Sequence, residues 1–180
     1  MVIRHAEKQQ GQSPPYGINV EGQRTPESLI PRGWARAGAL VDLFAPRVGT
    51  VRAGLARPRT VYATGGAIGL LPRETVSLVA AQLGVQENTR YGIYDVPELA
   101  AALVASSGPV LVSWIHPEIP DLAGQLPNVS PAAPKIWPGN RYDIVWVFVK
   151  TTTSNGQTGY RFSQVPQLLL PGDSSKPIGS

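Results

Sequence analysis

Hydrophobic and polar positions along this chain switch between two periods, and the switches divide it into elements. Val2 and Ile3 precede Arg4, so residues 1–4 read as the end of a strand. Residues 9–30 are polar and loop-like, with Pro14-Pro15 and Gly22. From Pro31 onward, Trp34, Ala37, Leu40, Val41 and Phe44 recur at helical spacing, which predicts a helix over 31–45 with proline in its first turn. Residues 59–63 predict a short strand, followed by Thr64-Gly65-Gly66. A helix is expected over 72–83, with Val76, Val79, Ala80 and Leu83 as its buried stripe and Gly84 as its stop. Another is expected over 95–106, with Asp95 as N-cap and Pro97 in the first turn. Residues 109–115 form an apolar run broken only by Ser113, as in a strand buried on both faces of a parallel sheet. A short helix over 117–126 follows, then a core strand over 143–150. Its hairpin partner lies at 158–164, across Ser154-Asn155-Gly156.

The order β-α-β-α-α-β-α-β-β predicts a three-layer α/β/α sandwich with a mostly parallel central sheet and a C-terminal hairpin. We read residues 1–180 as a single domain, with 172–180 as a tail. The first strand is shorter than the usual 5–6 residues or so, and a short upstream piece is expected to be missing. Ligands of such folds bind at the carboxyl ends of the strands. His5, Thr64 and His116 each follow a predicted strand, so they are expected on one rim.

Composition narrows the function. The 180 residues include 18 Pro and 19 Gly, and only 16% are charged. Proline and glycine crowd into 11–33, 127–141 and the last ten residues, which predicts long loops there. Cysteine is absent, which excludes thiolate metal sites, disulfides and a cysteine nucleophile. No apolar run approaches the ~18 residues of a membrane span, so no membrane partner is expected. Only Met1, Val2 and Ile3 precede Arg4, so any targeting signal is expected to have been lost with the missing upstream piece. The compartment stays open, with a cytoplasmic one favoured. The net charge is +4 and the pI about 9.6, with Arg32, Arg36, Arg47, Arg52, Arg57, Arg59 and Arg73 in the first half. These residues form no dense run and lack interleaved aromatics, which disfavours nucleic acid. A small phosphorylated anion fits the charge better.

The chain has two histidines, and each ends a predicted strand. Arg4-His5-Ala6-Glu7 resembles the RHG/RHAE signature of the histidine phosphatase superfamily, also called phosphoglycerate-mutase-like. Leu29-Ile30-Pro31-Arg32-Gly33-Trp34-Ala35-Arg36-Ala37 is similar to its L-T-x-x-G-x-x-Q-A helix start. Pro72-Arg73-Glu74-Thr75-Val76 resembles its R-x-x-E-T helix, which carries a second phosphate-binding arginine. Val110 to His116 resembles the strand that ends in its second histidine. Tyr142 to Trp146 and Leu168 to Asp173 are similar to the closing hairpin of some small members. The resemblance implies a metal-independent phosphatase that needs no cofactor and acts on a small phosphorylated substrate or a phosphoprotein. It implies His5 as nucleophile, His116 as charge stabiliser, and Arg4 and Arg73 as phosphate ligands. Guanidinium forks suit the spread charge of a phosphoryl group in transfer, and a neutral imidazole can attack phosphorus.

The proton donor for the leaving group stays open at this point. Glu118 stands two residues after His116 and is favoured over Asp95, and Glu7 is a further carboxylate near His5. Thr64 is a secondary phosphate-binding candidate, although Thr64-Gly65-Gly66 equally reads as a plain turn, because no P-loop lysine follows. A structural role for His116, a solvated Arg73 and a phosphate-binding module without turnover are the competing readings. A phosphomutase is a third possibility for the function. Oligomeric state is not legible in the sequence.

Overall fold

A computed structural model describes residues 1–66 and 69–179. Ala67 and Ile68, in the loop at 64–71, and Ser180 of the expected tail lie outside the described residues. The elements run β1 (Val2–Arg4), α1 (Pro31–Phe44), β2 (Thr60–Ala63), α2 (Leu70–Leu83), β3 (Glu87–Asn88), α3 (Val96–Ala105), β4 (Val110–Trp114), α4 (Ile119–Gln125), β5 (Val129–Ser130), β6 (Ile144–Thr152) and β7 (Thr158–Pro166). The strands form one seven-stranded sheet in the order β3-β2-β4-β1-β6-β7-β5. β3, β2, β4 and β1 are mutually parallel, while β6 runs antiparallel to both β1 and β7. This is the expected α/β sandwich with its C-terminal hairpin.

The side-chain alternation of β1, β4 and β6 makes two cores. Val2, Val112, Trp114 and Trp146 face α3 and α4. Ile3, Leu111, Val145 and Val147 face α1 and α2. Parallel crossovers are nearly always right-handed. The chain steps outward from β1 through β2 to β3, then returns to β4, so its helices fall on opposite faces. β4 and β1 therefore lie side by side with their carboxyl ends together, at the point where the winding reverses. Such a crevice is where ligands bind in open α/β sheets.

Several local expectations change. α2 begins at Leu70, before the expected Pro72, and ends at Gly84 with φ 69° as expected. Asp95 makes no side-chain cap to α3; its Oδ2 instead accepts from the Gly92 amide at 2.9 Å. The two-residue strands β3 and β5 carry no alternation of their own and lie at the sheet's edges. The buried stripe of α1 contains Arg36 together with Ala37, Leu40, Leu43 and Phe44. No helix among the described residues is long and apolar enough to cross a membrane.

Candidate active site

Arg4 ends β1, and the His5 amide continues the ladder by donating to Trp114 O at 3.0 Å. Beyond this the chain leaves the sheet. Thr75 Oγ1 of α2 accepts from the Ala6 amide at 2.8 Å and donates to Leu71 O at 2.7 Å. The backbone just past His5 is thus fixed to a helix. On the α1 side, Gly33 permits the same close approach, because a Cβ there would lie 2.3 Å from Glu7 O.

His5 is only 3% exposed. Its Nδ1 lies 2.8 Å from Ala6 O. A carbonyl only accepts, so Nδ1 carries the hydrogen and Nε2 presents a lone pair. Burial pushes the imidazole pKa down to about 3, and the charges of Arg4, Lys8 and His116 act in the same direction against the bond to Ala6 O. His5 is therefore neutral at pH 7. His116 is also pushed down, by burial and then by Arg4 and Lys8.

Arg4 is 2% exposed. Its Nη1 donates to Gly139 O at 2.6 Å and to Arg141 O at 3.3 Å. The Tyr142 ring centroid lies 3.8 Å from its Cζ, and that ring meets His5 edge-on at 6.1 Å. Nε of Arg4 is buried with no hydrogen-bond partner among the described residues, which is uncommon for a buried polar group. Gly139 connects the two halves of the site. It holds Arg4 through its carbonyl, and a Cβ on it would lie 3.6 Å from His116 Nε2. Arg4, His5 and His116 thus share one end of the β1–β4 pair.

Arg73 stands elsewhere. Its side chain is 52% exposed and pairs with Glu87 at 3.6 Å. The reason is helical phase. Thr75 faces Ala6, and a residue two positions earlier points about 200° around the helix. The position four before Thr75, on the facing side, is Leu71, which packs near Ala6, Leu29 and Ala37. Glu74 is a structural anchor whose carboxylate accepts from Ser28 Oγ and the Leu29 amide, both at 2.8 Å. Thr64 is fully buried and its hydroxyl has no partner. It follows β2, which lies across β4 from Arg4, two strand spacings or about 10 Å away between backbones.

Among the carboxylates, Asp95 is exposed and committed to Gly92. Glu7 points away into α1, bonded to Arg32 and Arg36. Glu118 precedes α4 without capping it by its side chain, and its charge is not among those that shift His116. Sequence reasoning missed Lys8 and Tyr142. Lys8 acts on both imidazoles and shares the extended segment after β1 with His5; a basic residue four positions after Arg4 was the available signal. Tyr142 precedes β6, the strand next to β1. Among the described residues, no group of three or more metal-ligating side chains converges. A cavity of about 520 Å³ lies at the opposite end of these strands, against Val2, Val110 and Val147.

No family model matches the chain, and no curated protein matches it.

The buried imidazole has a measurable thermodynamic consequence. The unfolded His5 protonates near its ordinary value of 6.5, while the folded one stays neutral down to about 3. Between these values the unfolded state binds the extra proton, so stability falls as pH falls. The slope contributed by one such group is at most about 1.4 kcal/mol per pH unit. Urea unfolding midpoints between about pH 6 and about pH 4 should decline in the wild type and be much flatter in His5→Gln.

Proposed function

We propose that this protein is a metal-independent phosphatase that forms a phosphohistidine on His5, as its resemblance to the histidine phosphatase superfamily implies. The observation that carries the reading is the pairing of a neutral His5, whose Nδ1 hydrogen is held by Ala6 O so that the lone pair falls on Nε2, with the buried guanidinium of Arg4 at the same strand ends. Nε2 attacks phosphorus, the bond to the leaving oxygen breaks, and that oxygen takes a proton from solvent water. Water then attacks phosphorus, the P–N bond breaks, and inorganic phosphate leaves with His5 restored. Arg4 and Lys8 supply fixed positive charge for the equatorial oxygens, and His116 donates a hydrogen bond to them.

Lys8 takes the part expected of Arg73. Lys8→Ala should raise KM for p-nitrophenyl phosphate roughly tenfold, equivalent to about 1.4 kcal/mol. Arg73→Ala should change it less than about twofold, as surface substitutions do. The reverse order would return Arg73 to the site.

A phosphate- or phosphoprotein-binding module without turnover is the second reading. It uses the same buried Arg4 and His5 to hold an anion without a covalent step. Hydrolysis of p-nitrophenyl phosphate in the presence of EDTA, compared with His5→Ala, decides between them. Turnover that depends on His5 supports the enzyme. A wild type that binds vanadate yet stays inactive over a wide pH range supports the module.

A further inference from the structure

The chain after β7 has no helix or strand up to residue 179, yet it is bonded at point after point. The Gln167 amide donates to Asp143 O at 2.7 Å. Asp173 accepts from the Leu169 and Leu170 amides at 2.8 and 3.1 Å. The Ser174 amide donates to Asp143 Oδ2 at 2.6 Å. Lys176 O accepts from Arg141 Nη2 at 2.8 Å. Ile178 is buried at 5% exposure and exchanges two hydrogen bonds with the Gln164 side chain. The expected tail is thus a belt laid over one side of the rim.

The belt meets the residues that surround Arg4. Arg141 O accepts from Arg4 Nη1 and, at 2.9 Å, from Trp137 Nε1. Its own side chain is held by Asp143 at 2.7 Å and by Lys176 O. Asp143 therefore binds Arg141 through one carboxylate oxygen and the belt through the other. Neither Arg141 nor Asp143 is placed to touch a bound phosphate; they fix the backbone that aims Arg4.

We propose that residues 167–178 form a clasp that holds Arg4 in its anion-binding geometry, with Asp143 as the positioning residue through which it acts. This rests on the reading of Arg4 as a phosphate ligand. A loosened clasp lets Arg141 and Gly139 drift, and the guanidinium loses its orientation before the nucleophile loses its tautomer. Binding should suffer more than chemistry.

The test uses the full chain, with p-nitrophenyl phosphate kinetics and vanadate binding measured in parallel. Asp143→Asn should raise KM and weaken vanadate binding by roughly tenfold, the lower end of what loss of an orienting partner costs, with kcat within about twofold. Arg141→Gln, at a more exposed position, removes the same pair with less risk to folding and should give the same split. The double variant should be no worse than either single one, as expected of residues acting in one unit. Leu43→Ala, in the other core, near the carboxyl end of α1, serves as control and should lower thermal stability without moving KM. Unchanged KM and vanadate affinity in Asp143→Asn and Arg141→Gln, beside an active wild type, overturn the clasp alone. A KM that follows stability in the control as well also overturns it. A wild type that neither turns over nor binds vanadate overturns both the phosphate reading and the clasp.

Discussion

Rapid acid-free quenching of the wild type against a labelled aryl phosphate is expected to trap one phosphoryl group on His5, labile to acid and stable to alkali. His5→Ala should trap none and turn over at least about 10³-fold more slowly, since removing a nucleophile removes its whole route. The expectation follows from the local geometry. Ala6 O takes the Nδ1 hydrogen, so the lone pair sits on Nε2. Burial, and after it the charges of Arg4 and Lys8, make protonation of that lone pair costly. The pH dependence is a sharper check. A histidine at its ordinary value would lose half its nucleophilic form near pH 6.5, while His5, with a pKa of about 3, should keep its neutral form through pH 5. Label formation that halves near pH 6.5, with substrate ionisation accounted for, would sink this assignment. A wild type that takes up no label at any pH would sink the nucleophile itself.

The fold was legible because the strands that matter are buried on both faces. Residues Val110 to Trp114 are apolar but for Ser113 for that reason, and the strand–helix alternation then leaves few topologies. Arg4, His5 and His116 were legible because a parallel sheet places strand ends on one rim without any knowledge of loops. What lay beyond the rule was side-chain direction. Arg73 stands next to Glu74 and Thr75, both of which face inward, but one helical step separates an anchor from a solvated residue. Asp95 precedes a helix as a cap would, yet its carboxylate closes the turn before it. The cage around Arg4 comes from residues 139–142, far along the chain and in a proline-rich loop without period. The clasp was unreadable for the same reason, since residues 167–178 have no helical or strand period, and many of their bonds run through backbone amides and carbonyls, which leave no trace in side-chain pattern.

Arg36 carries the largest expected effect on stability. It is 2% exposed on a helix stripe that is otherwise apolar. Nη2 donates to Glu7 at 2.8 Å and to Asp173 at 2.7 Å, and Nη1 adds Gln167 at 2.9 Å. One guanidinium thus joins the segment after His5 to the clasp. Arg36→Ala leaves two carboxylates with little solvent and without their main partner, and loss of one member of a buried ionic group costs about 3–5 kcal/mol. That is a fifth or more of the stability of an ordinary domain, about 5–15 kcal/mol. Arg32 offers the contrast on the same helix. It bonds the same Glu7 at 3.1 Å but is 43% exposed, so Arg32→Ala should cost under about 1 kcal/mol. The acid response should separate a charge effect from a packing effect. Bonds from Arg36 and from the Leu169 and Leu170 amides hold the Asp173 carboxyl below its ordinary value of 3.8, against the effect of burial. Its stabilisation is present above that value and is lost as pH falls through the folded one. Urea unfolding of Arg36→Ala should therefore show both the lower midpoint at pH 7 and a weaker decline below about pH 4. A midpoint within about 1 kcal/mol of wild type would mean that Glu7 and Asp173 find water or other partners, and that the ionic group does not tie the nucleophile's segment to the clasp.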